Sequence, residues 1–416
     1  MKKIAVLFLA VIFLFSNINL YGSNIVSIDS IVKSSEENNP EILAAKKRWE
    51  ASLARVPQMK SLDNPEVEVS YEKIPKGTLS FDKTEPIDRK LTVSQVFPFI
   101  GKLSLKGKIA VAESQMQASE YQNKRLEIVN KVKNAYYDLF MNYKEIELNK
   151  ESLKLLESIL KIGEVRYVVG DVKQEDLSKI NLEIKNLDSD TINLEKEQSA
   201  KKSRINTLIN RDPESPLGDP ELKEDISFNK DIESLYKLAL ENQPELAVFS
   251  YAIEKNKNEK ALAKKIFFPD IAAQIGLRGI TSGSIGPWDL MMAFTLPLWF
   301  WTKQRYEVKE AIANLDEAKA AYEAMKNNAL SEIKDMATKV EVSKNKANLY
   351  KNSSIPILEK TINSSLADFS SGKTDIRALM DNARLLIEAK KSYYKALTEY
   401  NMSLSNLERA VGVELK

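Results

Sequence analysis

Four short segments of the chain alternate apolar and polar residues with a period of two. In 66–71, Val67, Val69 and Tyr71 alternate with Glu66, Glu68 and Ser70. In 90–94 the apolar positions are Leu91 and Val93. Ile271, Ala273, Ile275 and Leu277 share one side of 271–277, opposite Ala272, Gln274 and Gly276. Met292, Phe294 and Leu296 share one side of 290–296. Alternate side chains of a strand point to opposite faces, so each segment predicts a strand core with one apolar and one more polar face. Extended to about ten residues, such strands have the length of a tilted membrane-spanning strand with its apolar side toward lipid. They group as two hairpins, turning through 75–87 and 281–289. The apolar run 288–301 contains Pro297 and is too short for a membrane helix.

The rest of the chain follows a helical period. Apolar residues fall at Val129, Val132, Tyr136, Leu139, Tyr143, Ile146 and Leu153. Leu177, Ile180, Ile184, Leu187 and Leu194 keep the same beat, as do Tyr393, Leu397, Tyr400, Leu404, Leu407 and Val411. A seven-residue beat makes a left-handed coiled-coil seam. No proline interrupts 103–167, and only Pro356 falls within 304–369. Each stretch predicts a helix roughly 100 Å long at about 1.5 Å per residue. Shorter helices are expected over about 29–60, 172–210, 231–266 and 374–412. Two short helices end to end match one long helix in an antiparallel hairpin. Gly170 and Gly372 sit where the chain must reverse, and glycine suits the left-handed residue that ends a helix. Asp171 and Thr374 are candidate caps for the returning helices.

The punctuation of these elements occurs twice. Asn39-Pro40-Glu41 returns as Gln243-Pro244-Glu245, and Asn64-Pro65-Glu66 returns as Phe268-Pro269-Asp270. Gln95-Val96-Phe97-Pro98 returns loosely as Phe294-Thr295-Leu296-Pro297, and Val169-Gly170-Asp171 as Ser371-Gly372-Lys373. The order is kept, which marks an internal duplication. The chain divides into a first repeat (24–210), a linker (211–230) and a second repeat (231–416). Residues 1–23, with Lys2, Lys3 and an apolar run from Ile4 to Phe15, read as a secretory signal peptide.

Composition narrows the chemistry. There is no cysteine and no histidine. That removes disulfides, Cys/His zinc sites, Cys or His nucleophiles and a histidine base. Carboxylates are scattered along helical faces, so no enzyme, cofactor or metal site is expected. The formal charge is +2 and falls to about zero without the two leader lysines, which points to no nucleic-acid partner. Aromatic residues cluster at strand ends: Trp288, Trp299 and Trp301 in the second hairpin, and Phe97, Phe99, Phe267 and Phe268 at the other strands. Such residues form the interface belt of an outer-membrane barrel. The alternative is that they pack between sheet and helices.

Four strands cannot close a membrane barrel, because known ones begin at about eight. An open sheet edge in lipid leaves unpaired backbone groups, each costing several kcal/mol. The chain is therefore expected to oligomerise. Three copies supply twelve strands, enough for a water-filled pore.

With these features the chain resembles the TolC family of outer-membrane efflux channels over essentially all of 24–416. The resemblance rests on the duplicated openings at 39–41 and 243–245, the junction Gln95-Val96-Phe97-Pro98-Phe99-Ile100-Gly101-Lys102, and the tips at Gly170 and Gly372. It implies an α+β membrane protein, a homotrimer whose twelve-stranded β-barrel in the outer membrane continues as a long α-helical coiled-coil barrel in the periplasm. It also implies an equatorial belt, for which 212–229 is the candidate. The implied function is the exit duct of a tripartite pump, partnered by a periplasmic membrane-fusion adaptor and an inner-membrane pump, most simply of the RND type. The Phe-Pro-Phe-Ile-Gly-Lys junction and Pro356 resemble the heavy-metal cation branch. Drug efflux and type I protein secretion are alternatives, and a periplasmic coiled-coil scaffold is the rival from another class.

The same resemblance implies where function resides. The adaptor would dock on Val169, Gly170, Asp171 and Val172 in one tip and on Ser371, Gly372, Lys373 and Thr374 in the other. Asp381 matches an acidic position of the pore constriction in the family, while Ala378 stands where a second acid is often found. Asp375 and Arg377 lie nearby and are candidates to pair across helices. The alternative for Asp381 is a solvated surface residue. Aligned on the two glycines, Asp171 corresponds to Lys373, Asp176 to Ala378 and Lys179 to Asp381, a charge inequality that an opening motion would exploit.

Overall fold

The computed structural model describes residues 25–74, 76–77, 89–222, 224–280 and 283–415. The leader and most of the first hairpin turn expected over 75–87 lie outside the described residues.

Each repeat opens with two helices: α1 (Ile28–Asn38) and α2 (Pro40–Lys60) in the first, α5 (Ile232–Asn242) and α6 (Pro244–Lys265) in the second. A single helix was expected over 29–60 and over 231–266, and the chain breaks both. Asn39 adopts an extended conformation that ends α1 and caps α2. Its Oδ1 accepts from the amides of Glu41 at 2.8 Å and Ile42 at 3.3 Å, and its Nδ2 donates to the Leu208 carbonyl at 2.8 Å. Pro40 and Pro244 occupy the first helical turn, where the missing N–H is tolerated and the residue before is pushed out of the helical region.

The long helices follow. The first, α3 (Lys102–Val168), runs unbroken for 67 residues. It is paired along its length by α2 and by α4 (Gln174–Leu208), stacked end to end. The second begins as α7 (Gln304–Leu349), passes through a π turn at Tyr350–Ser354 and continues as α8 (Ile355–Ser370). It is paired in the same way by α6 and α9 (Ile376–Val411). The π turn lies just before Pro356, whose ring cannot extend a regular α ladder upstream. The coiled-coil positions point inward: Val132, Tyr136, Leu139, Ile146, Ile180, Leu397, Tyr400 and Leu407 are all buried.

The strands are β2 (Glu66–Tyr71), β3 (Arg89–Phe97), β5 (Ile271–Arg278) and β6 (Trp288–Phe294). They form one antiparallel sheet in the order β2-β3-β5-β6. Two hairpins, one per repeat, are thus joined through β3 and β5, leaving β2 and β6 as open edges. The last strand starts earlier than expected and ends at Phe294, so Leu296 lies in the following loop.

The linker is irregular but tied down midway along the helices. Its two-residue strand β4 (Asp219–Pro220) pairs in parallel with β1 (Ile25–Val26). The Tyr136 hydroxyl donates to the Val26 carbonyl at 2.8 Å and accepts from the Glu221 amide at 2.8 Å. Glu224 accepts from Lys351 of the π turn at 2.5 Å and from the Tyr393 hydroxyl at 2.7 Å.

Candidate functional site

The register sorts the sheet into two chemically distinct faces. Val69 stands opposite Leu91, Leu91 opposite Leu277, and Leu277 opposite Trp288. Val67, Val93, Ile275 and Leu290 make the next row of the same face. These apolar side chains are largely exposed, Val67 to 62% and Leu290 to 59%. The other face carries Glu68, Ser70, Lys90, Thr92, Gln274, Arg278 and Asp289 around a shallow polar concavity. Lys90 pairs with Glu72 and Arg278 with Asp289. An exposed apolar face backed by a polar one is the reverse of a soluble sheet packed on a core. It matches a sheet with lipid on one side and water on the other. Among the described residues no helix is long and apolar enough to cross a membrane.

At the sheet's helix end, the two repeats are joined by a partly buried ion pair. Lys102, on the first turn of α3, reaches Asp270 before β5 at 2.7 Å and the Phe268 carbonyl at 3.1 Å. Asp270 also accepts from the Phe99 amide at 2.7 Å. Burial works to raise the Asp270 pKa, but the hydrogen bonds from Lys102 and Phe99 outweigh it and hold the carboxyl below its usual range. Phe99 stacks on Phe268 at 4.5 Å, with the Lys265 ammonium over both rings. For Phe99, then, packing at the junction is the role seen. Sequence reasoning placed Phe99 in a belt and missed the ion pair, which only the repeat-to-repeat contact brings together. Of the remaining aromatic positions, Phe97, Phe267, Phe268, Trp299 and Trp301 are exposed at the helix end, and only Trp288 marks the far end.

The opposite pole carries two tips built alike. Gly170 and Gly372 have φ of +86° and +82°, the left-handed region that favours glycine. In each tip the next amide reaches back five residues, Asp171 to the Arg166 carbonyl at 3.0 Å and Lys373 to the Asp368 carbonyl at 2.8 Å. This is the Schellman closure of a helix. The expected caps are not the ones used. The N-cap of α4 is Lys173, without a side-chain bond, because Asp171 turns back to Arg166 at 3.0 Å. The N-cap of α9 is Asp375, which accepts from the Arg377 amide, and Thr374 caps nothing.

Charge links the two tips. Arg166 donates to the Phe369 carbonyl and covers that ring at 5.0 Å. Arg377 does pair across helices, but with buried Asp176 of the first repeat at 2.9 Å rather than with Asp375. Beneath lies a shared core of Ile159, Val172, Leu177, Ile180, Phe369, Ile376 and Leu379. Val172 is thus interior, whereas Val168 and Val169 are exposed to 84% and 69%. Ser371, Gly372 and Lys373 are also exposed. Asp381 is exposed, and its side chain holds no hydrogen bond or ion pair among the described residues. Lys179, its counterpart, pairs with Glu175 on its own helix. No group of three or more potential metal ligands occurs among the described residues.

The model of a family described as "Outer membrane efflux protein" matches residues 31–211 and 235–413, one stretch in each repeat. The crystal structure of the outer membrane protein VceC from Vibrio cholerae superposes with a TM-score of 0.78 at 16% identity, covering 94% of this chain and 97% of that one. The open state of the MtrE outer membrane channel of Neisseria gonorrhoeae gives a TM-score of 0.73 at 16% identity, covering 94% and 89%. At such identities these likenesses show the fold. In sequence, the cobalt-zinc-cadmium resistance protein CzcC of Cupriavidus metallidurans is 19% identical over 391 residues, 93% of this chain and 90% of that protein.

Proposed function

The chain belongs to the outer membrane efflux protein family, and from that footing we propose that it is the outer-membrane exit duct of a tripartite pump that expels heavy-metal cations. Membership makes it a non-enzymatic channel of the outer membrane with a periplasmic helical extension. The two-faced four-stranded sheet with both edges open is the observation that carries the reading further. A second copy of the chain is the partner that fits those edges. Apolar side chains also stand exposed on the flanks of the helical body, Leu182 and Ile192 on α4 and Leu349 and Ile357 on the second long helix. Three copies would pair β6 of each with β2 of the next, close a twelve-stranded barrel, and cover both flanks.

In that trimer the 67-residue α3 would carry the conduit about 100 Å from the membrane. The tips would then meet a periplasmic adaptor through exposed Val168, Val169, Ser371 and Lys373, beyond which an inner-membrane pump supplies the energy. Asp381 would repeat three times around the axis, where carboxylates attract cations through the focused field. The metal assignment is supported by the sequence likeness to CzcC. A duct needs no metal-storage site, so the absence of such a cluster among the described residues does not weigh against it.

Deleting the gene and measuring growth in graded cobalt, zinc and cadmium tests the substrate. Sensitivity to these ions, restored by the wild-type chain but not by one lacking 166–173, is expected. Unchanged metal tolerance with new sensitivity to dyes or detergents would replace metals with drugs as cargo.

A further inference from the structure

The charge of this chain is unevenly placed along its length. Overall it is nearly balanced, with 61 Lys and Arg against 59 Asp and Glu. The segments that bracket the sheet's helix end, 53–65, 98–109, 258–270 and 295–311, hold eleven basic residues against five acidic ones. Around the other hairpin end, 71–90 with Arg278 and Asp289 holds six basic residues against five acidic ones, and Lys90–Glu72 and Arg278–Asp289 are ion pairs there. Half of the excess is Lys102, Lys106 and Lys108 of the first repeat, and a second basic group stands where α6 ends and α7 begins. These helices run antiparallel and pack together, so Lys264 and Lys265 on one and Lys303 and Arg305 on the other lie at the same level. Lys264, Lys303 and Arg305 are exposed and form no ion pair among the described residues.

Aromatic residues lie at the same place. The loop into α7 is Leu296-Pro297-Leu298-Trp299-Phe300-Trp301, with both tryptophans more than half exposed and the three rings in edge contact. Phe267 and Phe268 follow Lys265, whose ammonium sits 5.5 Å from the Phe268 ring. The counterpart junction in the first repeat has four residues between β3 and α3, where this one has nine between β6 and α7, so the aromatic loop is an addition of the second repeat. Rings that partition to the membrane interface, with cations beside them on the helix side of the sheet, are ordered as an acyl boundary and a phosphate layer are ordered.

We propose that Lys264, Lys265, Lys303 and Arg305, with Trp299 and Trp301, form one binding surface per chain for anionic phospholipid head groups of the periplasmic leaflet. The inference rests on the outer-membrane reading, and the charge complementarity selects the lipid class. Each cation at such a surface is worth about a fivefold change in affinity at low salt, and its pull is screened within a Debye length.

The test uses the full chain with Trp49 and Trp288 replaced by Phe, so that only Trp299 and Trp301 report. It is inserted into phosphatidylcholine vesicles containing a small fraction of brominated phosphatidylglycerol, or the same fraction of brominated phosphatidylcholine. The expected result is about twofold or greater excess quenching by the anionic lipid, lost in high salt. The excess should also vanish in Lys264→Gln/Lys265→Gln/Lys303→Gln/Arg305→Gln. Should that variant fail to assemble, Lys303→Gln/Arg305→Gln, which leaves the Lys265 ring contacts intact, should at least halve the excess. Equal quenching by both lipids would overturn the proposal, as would an excess that survives charge removal. Competition by millimolar inorganic phosphate would assign the surface to free anions instead. Absence of quenching by either lipid would assign it to the neighbouring copy. A chain that forms trimers in the vesicles yet shows no excess refutes this inference alone, whereas one that never inserts refutes the outer-membrane reading beneath it.

Discussion

Removing the Asp270 carboxylate should loosen the joint between the sheet and the helices. It accepts two hydrogen bonds at 2.7 Å, from the Lys102 ammonium and the Phe99 amide. The Lys102 side chain is 10% exposed and that of Asp270 31%. Hydrogen bonds to charged groups contribute about 1.5–3 kcal/mol, and stranding one member of a buried pair costs about 3–5 kcal/mol. Because Asp270 is nearly a third open to water, the lower part of that range applies. Asp270→Asn, which keeps an acceptor for Phe99, should cost about 2 kcal/mol, and Asp270→Ala about 3 kcal/mol. With Lys102→Met, the double-mutant cycle should give a coupling of about 1–2 kcal/mol. Guanidinium unfolding in neutral detergent, followed by tryptophan fluorescence, reads these values. The folded-state pKa of Asp270 lies below its ordinary value, so its stabilisation is complete above the ordinary carboxylate range, about 3.9, and is lost as pH falls through the lowered value. Asp270→Asn should lack that acid-side loss. Additive single mutants, or an unchanged acid limb, would refute the joint.

Three further outcomes follow from the geometry. Arg377→Ala leaves Asp176 buried without its partner, so the link between the tips should weaken. Single-channel recordings should show larger or more frequent openings, with Lys at 377 restoring part of the wild-type behaviour. Asp381→Ala should lower cation selectivity and divalent block in the same recordings, and no change in either would return Asp381 to the role of a solvated surface residue. The natural chain has no cysteine, so Val69→Cys combined in turn with Leu290→Cys, Met292→Cys or Phe294→Cys should yield covalent trimers in at least one register. Ladders that stop at dimers in every register would contradict closure of β6 on β2.

What the sequence made legible follows from the range of the interactions concerned. A strand facing lipid and water must alternate, so Val67, Val69 and Tyr71 against Glu66, Glu68 and Ser70 could be sorted without knowing their neighbours. Glycine at a left-handed position is also a local requirement, which is why both tips were visible. The split at Asn39 was not predicted, although 33–41 holds no apolar side chain other than Pro40. The signal was also present in Asn-Pro-Glu, a cap, a first-turn proline and an acidic first turn. The caps went wrong for a different reason. Asp171 suits an N-cap, but Arg166, brought near by the Schellman turn, offers it a charged partner. Lys102, Asp270 and Asp176 look like solvated surface charges in sequence, and Arg377 finds only Asp375 beside it as a candidate partner. Only the packing of one repeat on the other makes them pairs.

On the proposed reading the working channel is a closed barrel built from three copies. The most direct measurement is native mass spectrometry of the protein extracted from the outer-membrane fraction. Three times the mass of one mature chain, dissociating to monomer on heating in SDS, is the expected result. A monomer, or a protein recovered soluble from the periplasm, would contradict it.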